Sequence, residues 1–356
     1  MKALSKEYAL FISLITLGVF SQFEHQFAQT NMGNIAGFLI LFVVIIYASL
    51  AVAHHAEMLA EKFGEPYGTL ILTMSAVTVE VMIIAIMMLH SENPALARDT
   101  IYSAIMLDIN GLLGVAAIIG GLKFGEQPYN VDSSNSYLSM LLVAIGLAMV
   151  LPHLIDASHH TAYMWFIVVV FVLLYVVFTK VQLKNHKYFF EYKGEDVCED
   201  STHDHSGING TYHTALLVIY ILLIGFMSEI LAVFMEHNLE HLGLPLALGA
   251  VGVALISASP ELIVAFRAAL KNNMQTVINI ALGASLATVL LTVPAVIIIS
   301  SLAGLDLDLA LTPMQSALLA LTLLVSIVNF NDGETNVLEG FLHFILFIVF
   351  AFVLFL

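Results

Sequence analysis

Charged residues are scarce in this chain of 356 residues, making up 11% of it, whereas apolar residues make up 60%. A soluble globular domain carries roughly one quarter charged residues, so water is not the main solvent of this chain. Apolar runs approach the length of about 20 residues that a helix needs to cross a bilayer, as at 36–53, 70–89 and 341–356. Barrel strands would be about half as long and would alternate with polar residues. The sequence therefore predicts an all-α polytopic membrane protein.

Basic residues and cysteines are also few. Lys and Arg number 11 against 27 Asp and Glu, and the net charge of −16 argues against a nucleic-acid partner. This negative charge is consistent with an attraction for cations, and equally with a solvated acidic surface. The single cysteine, Cys198, excludes an intrachain disulfide. The start, with Lys2, Lys6 and the apolar stretch 8–20, resembles a signal peptide, but no small-residue cleavage site follows, so we interpret it as a retained first helix.

Apolar runs and turn residues together predict eleven membrane helices, at 8–23, 35–53, 67–89, 100–120, 137–154, 162–180, 213–235, 244–268, 275–301, 311–328 and 337–355. Lys and Arg accumulate in short cytoplasmic loops. With the N-terminus inside, every basic residue except Arg98 falls on the inner side. We therefore predict a cytoplasmic N-terminus and a C-terminus outside.

The chain divides into two similar halves. Gly68 precedes Glu80 by twelve residues and Gly249 precedes Glu261 by twelve, each within a helix that follows a proline-containing turn. Five helices form each half, and an odd number forces the second half through the membrane in the opposite sense, as in the inverted repeats of secondary transporters. The predicted organisation is an extra helix and loop at 1–34, a first repeat at 35–183, an acidic linker at 184–212 and a second repeat at 213–356.

Glu80 and Glu261 are the main candidates for chemistry. Each lies deep within a predicted span, where a carboxylate costs about 2.5–3.5 kcal/mol on insertion scales and marks a functional position. The alternative is a protonated glutamate hydrogen-bonded to a neighbouring helix. Because they occupy matching positions of the repeat, we predict that they face each other near the midplane and bind a cation. Two carboxylates neutralise a divalent cation, and once it leaves they repel each other and take up protons.

Other polar groups near these glutamates are candidate ligands. Pro260 lacks a backbone donor and is predicted to kink or break its helix, freeing carbonyl groups. The hydroxyl groups can also simply bond the preceding helical turn, and Asp108 can be a ligand, a proton relay or the partner of a polar neighbour. Glu57 and Glu229 are candidates for an access path, with a solvated helix end as the alternative for Glu57. The possible metal or proton ligands are Ser75, Thr78, Asp108, Asn110, Ser257, Ser259, Ser285 and Thr288.

Two other patterns carry weaker signals. His159-His160 and His203-Asp204-His205 lack the spaced set of four nitrogen or sulfur ligands of a zinc site. The acidic stretch lacks the regular D-x-D-x-D-G calcium loop and is interpreted as a flexible charged linker. No cofactor is predicted.

Several stretches together carry a family resemblance: Gly64–Leu72 leading to Glu80, Gly120–Phe124, Ser259–Glu261, Gly283–Pro294 and Thr335–Leu338. Over nearly its whole length the chain resembles the cation/proton exchanger family of the calcium/cation antiporter superfamily, and most of all its bacterial calcium/proton antiporters. The resemblance implies a secondary active transporter, not an enzyme, in a prokaryotic plasma membrane. It would exchange protons for calcium by alternating access, with Glu80 and Glu261 binding the ion.

The chain departs from the broader family in its neutral residues. That family has a G-N-A-x-E pattern in both repeats, and the asparagine positions hold Val77 and Ala258 here, while Ala287 replaces a glutamine. These departures imply a changed set of neutral ligands and a looser selectivity towards sodium or potassium.

Two alternative functions have sequence requirements that the chain meets poorly. A sodium/calcium exchanger needs several further sodium-ligating polar groups beside the glutamates, and these are sparse. An intramembrane acidic protease needs paired aspartates in Tyr-Asp and Gly-x-Gly-Asp arrangements, which do not occur. The expected partners are calcium and protons, with sodium or potassium possible, and the lipid bilayer. The oligomeric state is not predicted.

Overall fold

The computed structural model describes residues 7–28, 30–63, 67–90, 93–182, 187–192 and 208–355, and these are mostly helical. Its α-helices are α1 (Tyr8–Ala28), α2 (Asn31–Phe63), α3 (Tyr67–His90), α4 (Leu96–Met106), α5 (Leu113–Phe124), α6 (Val131–Ile145), α7 (Ala157–Lys180), α8 (Gly210–Leu242), α9 (Ala247–Ala269), α10 (Met274–Ala287), α11 (Val293–Ala303), α12 (Pro313–Asn329) and α13 (Val337–Val353). Two short strands, β1 (Gln127–Pro128) and β2 (Glu334–Thr335), pair antiparallel.

The helices of the described residues contain eleven apolar segments. Eight are long and apolar enough to cross a bilayer, and three are shorter apolar helices within α1, α12 and α13. Two of the long spans consist of two α-helices joined by a π-helical turn, Leu107–Leu112 between α4 and α5 and Thr288–Thr292 between α10 and α11. After α6, a π-helical turn and a short 3-10 helix complete another span. The all-α polytopic prediction is confirmed.

Equivalent elements recur in the same order in the two halves. Helices α2 and α8 each have 33 residues. The π-helical turns begin at Leu107 and Thr288, each 27 residues after Glu80 and Glu261 respectively. A π-helical turn is rare and is found frequently at functional sites. Its recurrence at one register supports the equivalence of the two halves that the glutamate spacing indicated.

The chain forms two compact units that do not coincide with the predicted repeats. The first comprises the described parts of Met1–Leu96 and Asp204–Pro260, and the second those of Ala97–His203 and Glu261–Leu356. In the first unit α2 packs along α8, with α1 and α3 against both. In the second, α13 packs against α5, α10 against α6 and α11 against α7. Most of the predicted linker, including Cys198, His203 and His205, lies outside the described residues, and the repeat boundaries stay a prediction.

Helix ends follow from local sequence. Thr312 caps α12 in a capping box with Gln315, so that two otherwise unpaired backbone N–H groups are bonded. Asn336 caps α13 by accepting from two backbone N–H groups. Gly243 and Gly304 end α8 and α11 in the left-handed conformation that glycine adopts without strain. Polar residues at the starts and glycines at the ends therefore set the bounds of these helices.

Contacts within the second unit agree with the predicted sidedness of its loops. The pairing of β1 with β2 and the bond from Lys123 Nζ to Leu270 O, at 2.8 Å, place at one end three loops that were all predicted to lie inside. Arg98, predicted outside, bonds Asp308 Oδ2 at 3.1 Å in another loop predicted outside. Which end is cytoplasmic stays a prediction.

Candidate functional site

Glu80 lies on the protein-facing side of α3 in the first unit. Its side chain is 4% exposed, and Ile83, Ile84 and Met87, which follow at helical spacing, are also buried. A carboxylate on this apolar stripe is costly in a membrane and indicates function. The buried setting that the sequence predicted for Glu80 is therefore present.

Beside the two glutamates, the predicted hydroxyl groups on α3 and α9 bond their own helices. Ser75 and Thr78 donate to the carbonyl oxygens of Ile71 and Met74, each at 2.6 Å. Ser257 donates to Ala254 O at 3.1 Å. These are the ordinary contacts with the preceding turn. A hydroxyl oxygen that donates its proton keeps its lone pairs, so each of these three side chains can still coordinate a cation.

Helix α9 runs through Pro260 without ending, so the chain does not break there, and the predicted kink stays a prediction. Proline has no N–H to bond the carbonyl four residues earlier, which belongs to Ile256. The hydroxyl of Ser259 donates to that same oxygen, Ile256 O, at 2.8 Å. The carbonyl that Pro260 frees is thus satisfied by a neighbouring side chain, which keeps the helix continuous in front of Glu261.

Glu261 is half-buried and belongs to the second unit, which also holds the remaining candidate ligands. Asp108, 2% exposed, lies on the first π-helical turn and accepts a hydrogen bond from Ser285 Oγ at 3.1 Å. Thr288 begins the second π-helical turn and is buried. The fold therefore brings together Asp108 and Ser285, which lie 177 residues apart. Glu80 belongs to the other unit, so a shared ion between Glu80 and Glu261 stays a prediction.

Asn110 belongs to a buried network that sequence reasoning missed. Its Nδ2 donates to Thr322 Oγ1 at 2.9 Å, and His343 Nδ1 lies 3.0 Å from its Oδ1. With this orientation of the amide, His343 Nδ1 carries a proton and donates it. Asn110 thereby anchors the π-helical turn to α12 and α13. A histidine inside the apolar helix α13 was the available signal.

This network predicts a stability effect. In His343→Phe the ring volume is kept but Asn110 Oδ1 loses its donor in a buried site, which costs about 1–3 kcal/mol of unfolding free energy. Chemical unfolding in detergent measures the loss. The control His159→Phe changes an exposed histidine and should stay within about 0.5 kcal/mol. If His343→Phe also stays within that margin, the contact with Asn110 carries no stability.

The two candidates for an access path lie in the first unit and are exposed. Glu57 is exposed on α2. The side chain of Glu229, on α8, is 56% exposed and its Oε1 lies 3.8 Å from His90 Nε2. An exposed contact of this kind contributes little to stability. Both positions are therefore compatible with an access role, which stays a prediction.

Among the described residues, no three His, Cys, Asp or Glu side chains lie close enough to hold a metal ion together. The second unit has an open cleft of about 570 Å³ between its loops, lined among others by Tyr129, Glu191, Asp332 and Glu334. None of the predicted ion ligands lines it. Burial, reinforced by the carboxylate of Asp332, raises the pKa of the Tyr129 hydroxyl, so that this group stays neutral beside the acidic residues.

Comparison with known proteins agrees with this architecture. The sequence profile of the family described as "Sodium/calcium exchanger protein" matches residues 33–184 and 212–356. The chain is 32% identical over 360 residues to the sodium-potassium/proton antiporter ChaA of Escherichia coli (strain K12), covering 100% of this chain and 98% of that protein.

Two solved structures share the fold. The structure of native YfkE superposes with a TM-score of 0.76 at 19% identity, covering 96% of this chain and 99% of that one. The crystal structure of the H⁺/Ca²⁺ exchanger CAX gives a TM-score of 0.68 at 20% identity, covering 98% of this chain and 88% of that one. The chain therefore belongs to the sodium/calcium exchanger protein family, within the calcium/cation antiporter superfamily, and is an antiporter.

Proposed function

We propose that this antiporter exchanges protons for calcium, with Glu80 and Glu261 binding either the cation or protons. One observation carries the proposal. Glu80 is a buried carboxylate on an otherwise apolar stripe, Glu261 is a half-buried carboxylate at the equivalent position of the second half, and a π-helical turn follows each at the same register. A carboxylate within a membrane span is energetically unfavourable, and its presence at equivalent positions of both halves is best explained by ion binding.

The chemistry of two carboxylates couples the two ions. A hard divalent cation prefers several oxygen ligands, and two glutamates neutralise its charge. When the cation leaves, two anions in a low-dielectric site repel each other, so each departure favours protonation. The hydroxyl oxygens of Ser75 and Thr78 in the first unit, and of Ser285 and Thr288 in the second, are the proposed neutral ligands. A site that holds protons or a cation, but not both, supports exchange.

Monovalent cations are a second candidate cargo. Val77 and Ala258 are buried and apolar where the resembling family has asparagine, which removes two amide oxygens from the ligand set. Fewer oxygens favour an ion that is easier to dehydrate than a divalent cation. The Escherichia coli relative is named a sodium-potassium/proton antiporter. Sodium or potassium in place of calcium, on the same two carboxylates, is therefore the alternative.

Inverted vesicles that contain the chain and are acidified inside give the test. Calcium, sodium, potassium, magnesium and zinc are added in turn, and a pH-sensitive dye reports protons leaving the lumen. We expect calcium to release protons. Release by sodium or potassium alone would support the alternative cargo, and release by none of the five would refute proton-coupled exchange. Vesicles containing Glu80→Gln/Glu261→Gln protein give the background.

A further inference from the structure

A polar cluster joins the start of α1 to α2 and α8 in the first unit, and none of its members is a proposed ion ligand. Its centre is His55, on α2, whose ring is 1% exposed. Glu7, directly before α1, and His213, near the start of α8, lie on either side of this ring. Two tyrosines of α8, Tyr212 and Tyr220, complete it.

The distances define which groups donate. Tyr212 Oη and Tyr220 Oη donate to the two carboxylate oxygens of Glu7, at 2.8 and 3.2 Å. His55 Nε2 lies 3.4 Å from Glu7 Oε2. On its other side, His55 Nδ1 lies 2.9 Å from His213 Nδ1. A contact of that length between two ring nitrogens requires a proton on one of them and a lone pair on the other.

The rings of His55 and His213 can bind only a limited number of protons while they stay in contact. With both rings neutral, one Nδ1 donates to the other. One additional proton is accommodated, because His55 as an imidazolium donates to His213 and faces the Glu7 carboxylate. A second additional proton gives two imidazolium rings with N–H groups pointing at each other, and the contact must open. Opening moves the His55 ring, whose Nε2 lies 3.4 Å from Glu7 Oε2, and so loosens the start of α1.

We propose that Glu7, His55 and His213 form a proton-binding site, separate from the transport glutamates, that holds the start of α1 in place and releases it on acidification. The released form binds more protons than the held form, so falling pH favours release. Histidine in water has a pKa of about 6.5, so the released form takes up its additional proton as the pH falls below that value. The predicted topology places this end of α1, α2 and α8 in the cytoplasm, so the site senses cytoplasmic pH.

The other charged or titratable groups that face the cluster lie on α2. From α2 these are His54, whose ring lies 5.4 Å from that of His55, and Lys62 beside Gly210. Tyr47, also on α2, lies near Tyr220. His54 and Lys62 are exposed and add positive charge or none. Glu7 is therefore the carboxylate that stabilises the singly protonated pair, and further protonation acts against the positive charge around it.

Hydrogen–deuterium exchange of the full-length protein in nanodiscs tests the site independently of transport. Peptides from the start of α1 are compared at about pH 8 and about pH 5.5, with rates corrected for intrinsic exchange. We expect exchange up to about tenfold faster at the lower pH, since one additional proton changes the equilibrium by up to tenfold per pH unit below about pH 6.5. Equal corrected rates at the two pH values would overturn the proposal.

Two variants separate proton binding from a merely structural contact. His213→Asn places an amide where Nδ1 was, so it can bond His55 but cannot bind a proton. Its α1 should exchange slowly at both pH values. Fast exchange at both, or a response equal to wild type, would contradict the proposal. The control His54→Asn, at the exposed neighbour, should keep the wild-type response, and Glu7→Gln should release α1 at a higher pH.

Discussion

Replacing Glu80 or Glu261 by glutamine should lower cation-driven proton release at least about a hundredfold. Each substitution keeps the size of the side chain and removes one negative charge. At an effective dielectric constant of about 20, one unit charge pair 4 Å apart contributes about 4 kcal/mol, or about three powers of ten in binding. The remaining carboxylate cannot neutralise a divalent cation or carry the second proton. The measurement is the initial rate of proton release when calcium is added to inverted vesicles.

The matched control is Glu126→Gln, which removes an exposed carboxylate from the loop after α5. Its rate should equal that of wild type. Monodisperse protein in detergent establishes that each glutamine variant has folded. If Glu80→Gln or Glu261→Gln protein exchanges calcium at the wild-type rate, the assignment of the ion site is wrong, whatever the control shows.

Spans and the repeat were predictable because their signals are local. The length of an apolar run and the placement of Lys and Arg depend on the bilayer, not on which helices pack together. Helix α3 therefore lies where its apolar residues predicted, and the buried position of Glu80 follows from its cost in lipid. The shared spacing of Gly68 to Glu80 and Gly249 to Glu261 indicated equivalent elements without any structure.

Contacts between distant residues were not predictable in this way. No periodicity pairs Asp108 with Ser285 or Asn110 with His343, since each contact joins spans far apart in sequence. The π-helical turns leave no composition signal, because one extra residue per turn is accommodated by packing. The helix does not break at Pro260, because the neighbouring Ser259 hydroxyl, which the prediction did not consider, bonds the carbonyl that proline frees.

Helices α5 and α13 approach each other so closely that substitution of a glycine between them should destabilise this part of the second unit. A methyl group at Gly340 would lie 2.7 Å from Ile118 N and 2.8 Å from Gly114 O. Both are backbone atoms of α5, so no side-chain rotation relieves the contact. Gly340→Ala should therefore cost about 3 kcal/mol, the upper end of the range for overpacking.

The consequence of Gly340→Ala extends to the candidate ligands. His343, one helical turn after Gly340, bonds Asn110 on the π-helical turn that also holds Asp108, so moving α13 away from α5 displaces all three. We expect a lower unfolding free energy in detergent together with slower calcium-driven proton release. Gly146→Ala is the control, since nothing lies within 4 Å of a methyl group there. If Gly340→Ala is as stable as Gly146→Ala, α5 and α13 separate at little cost, and the close approach does not position the π-helical turn.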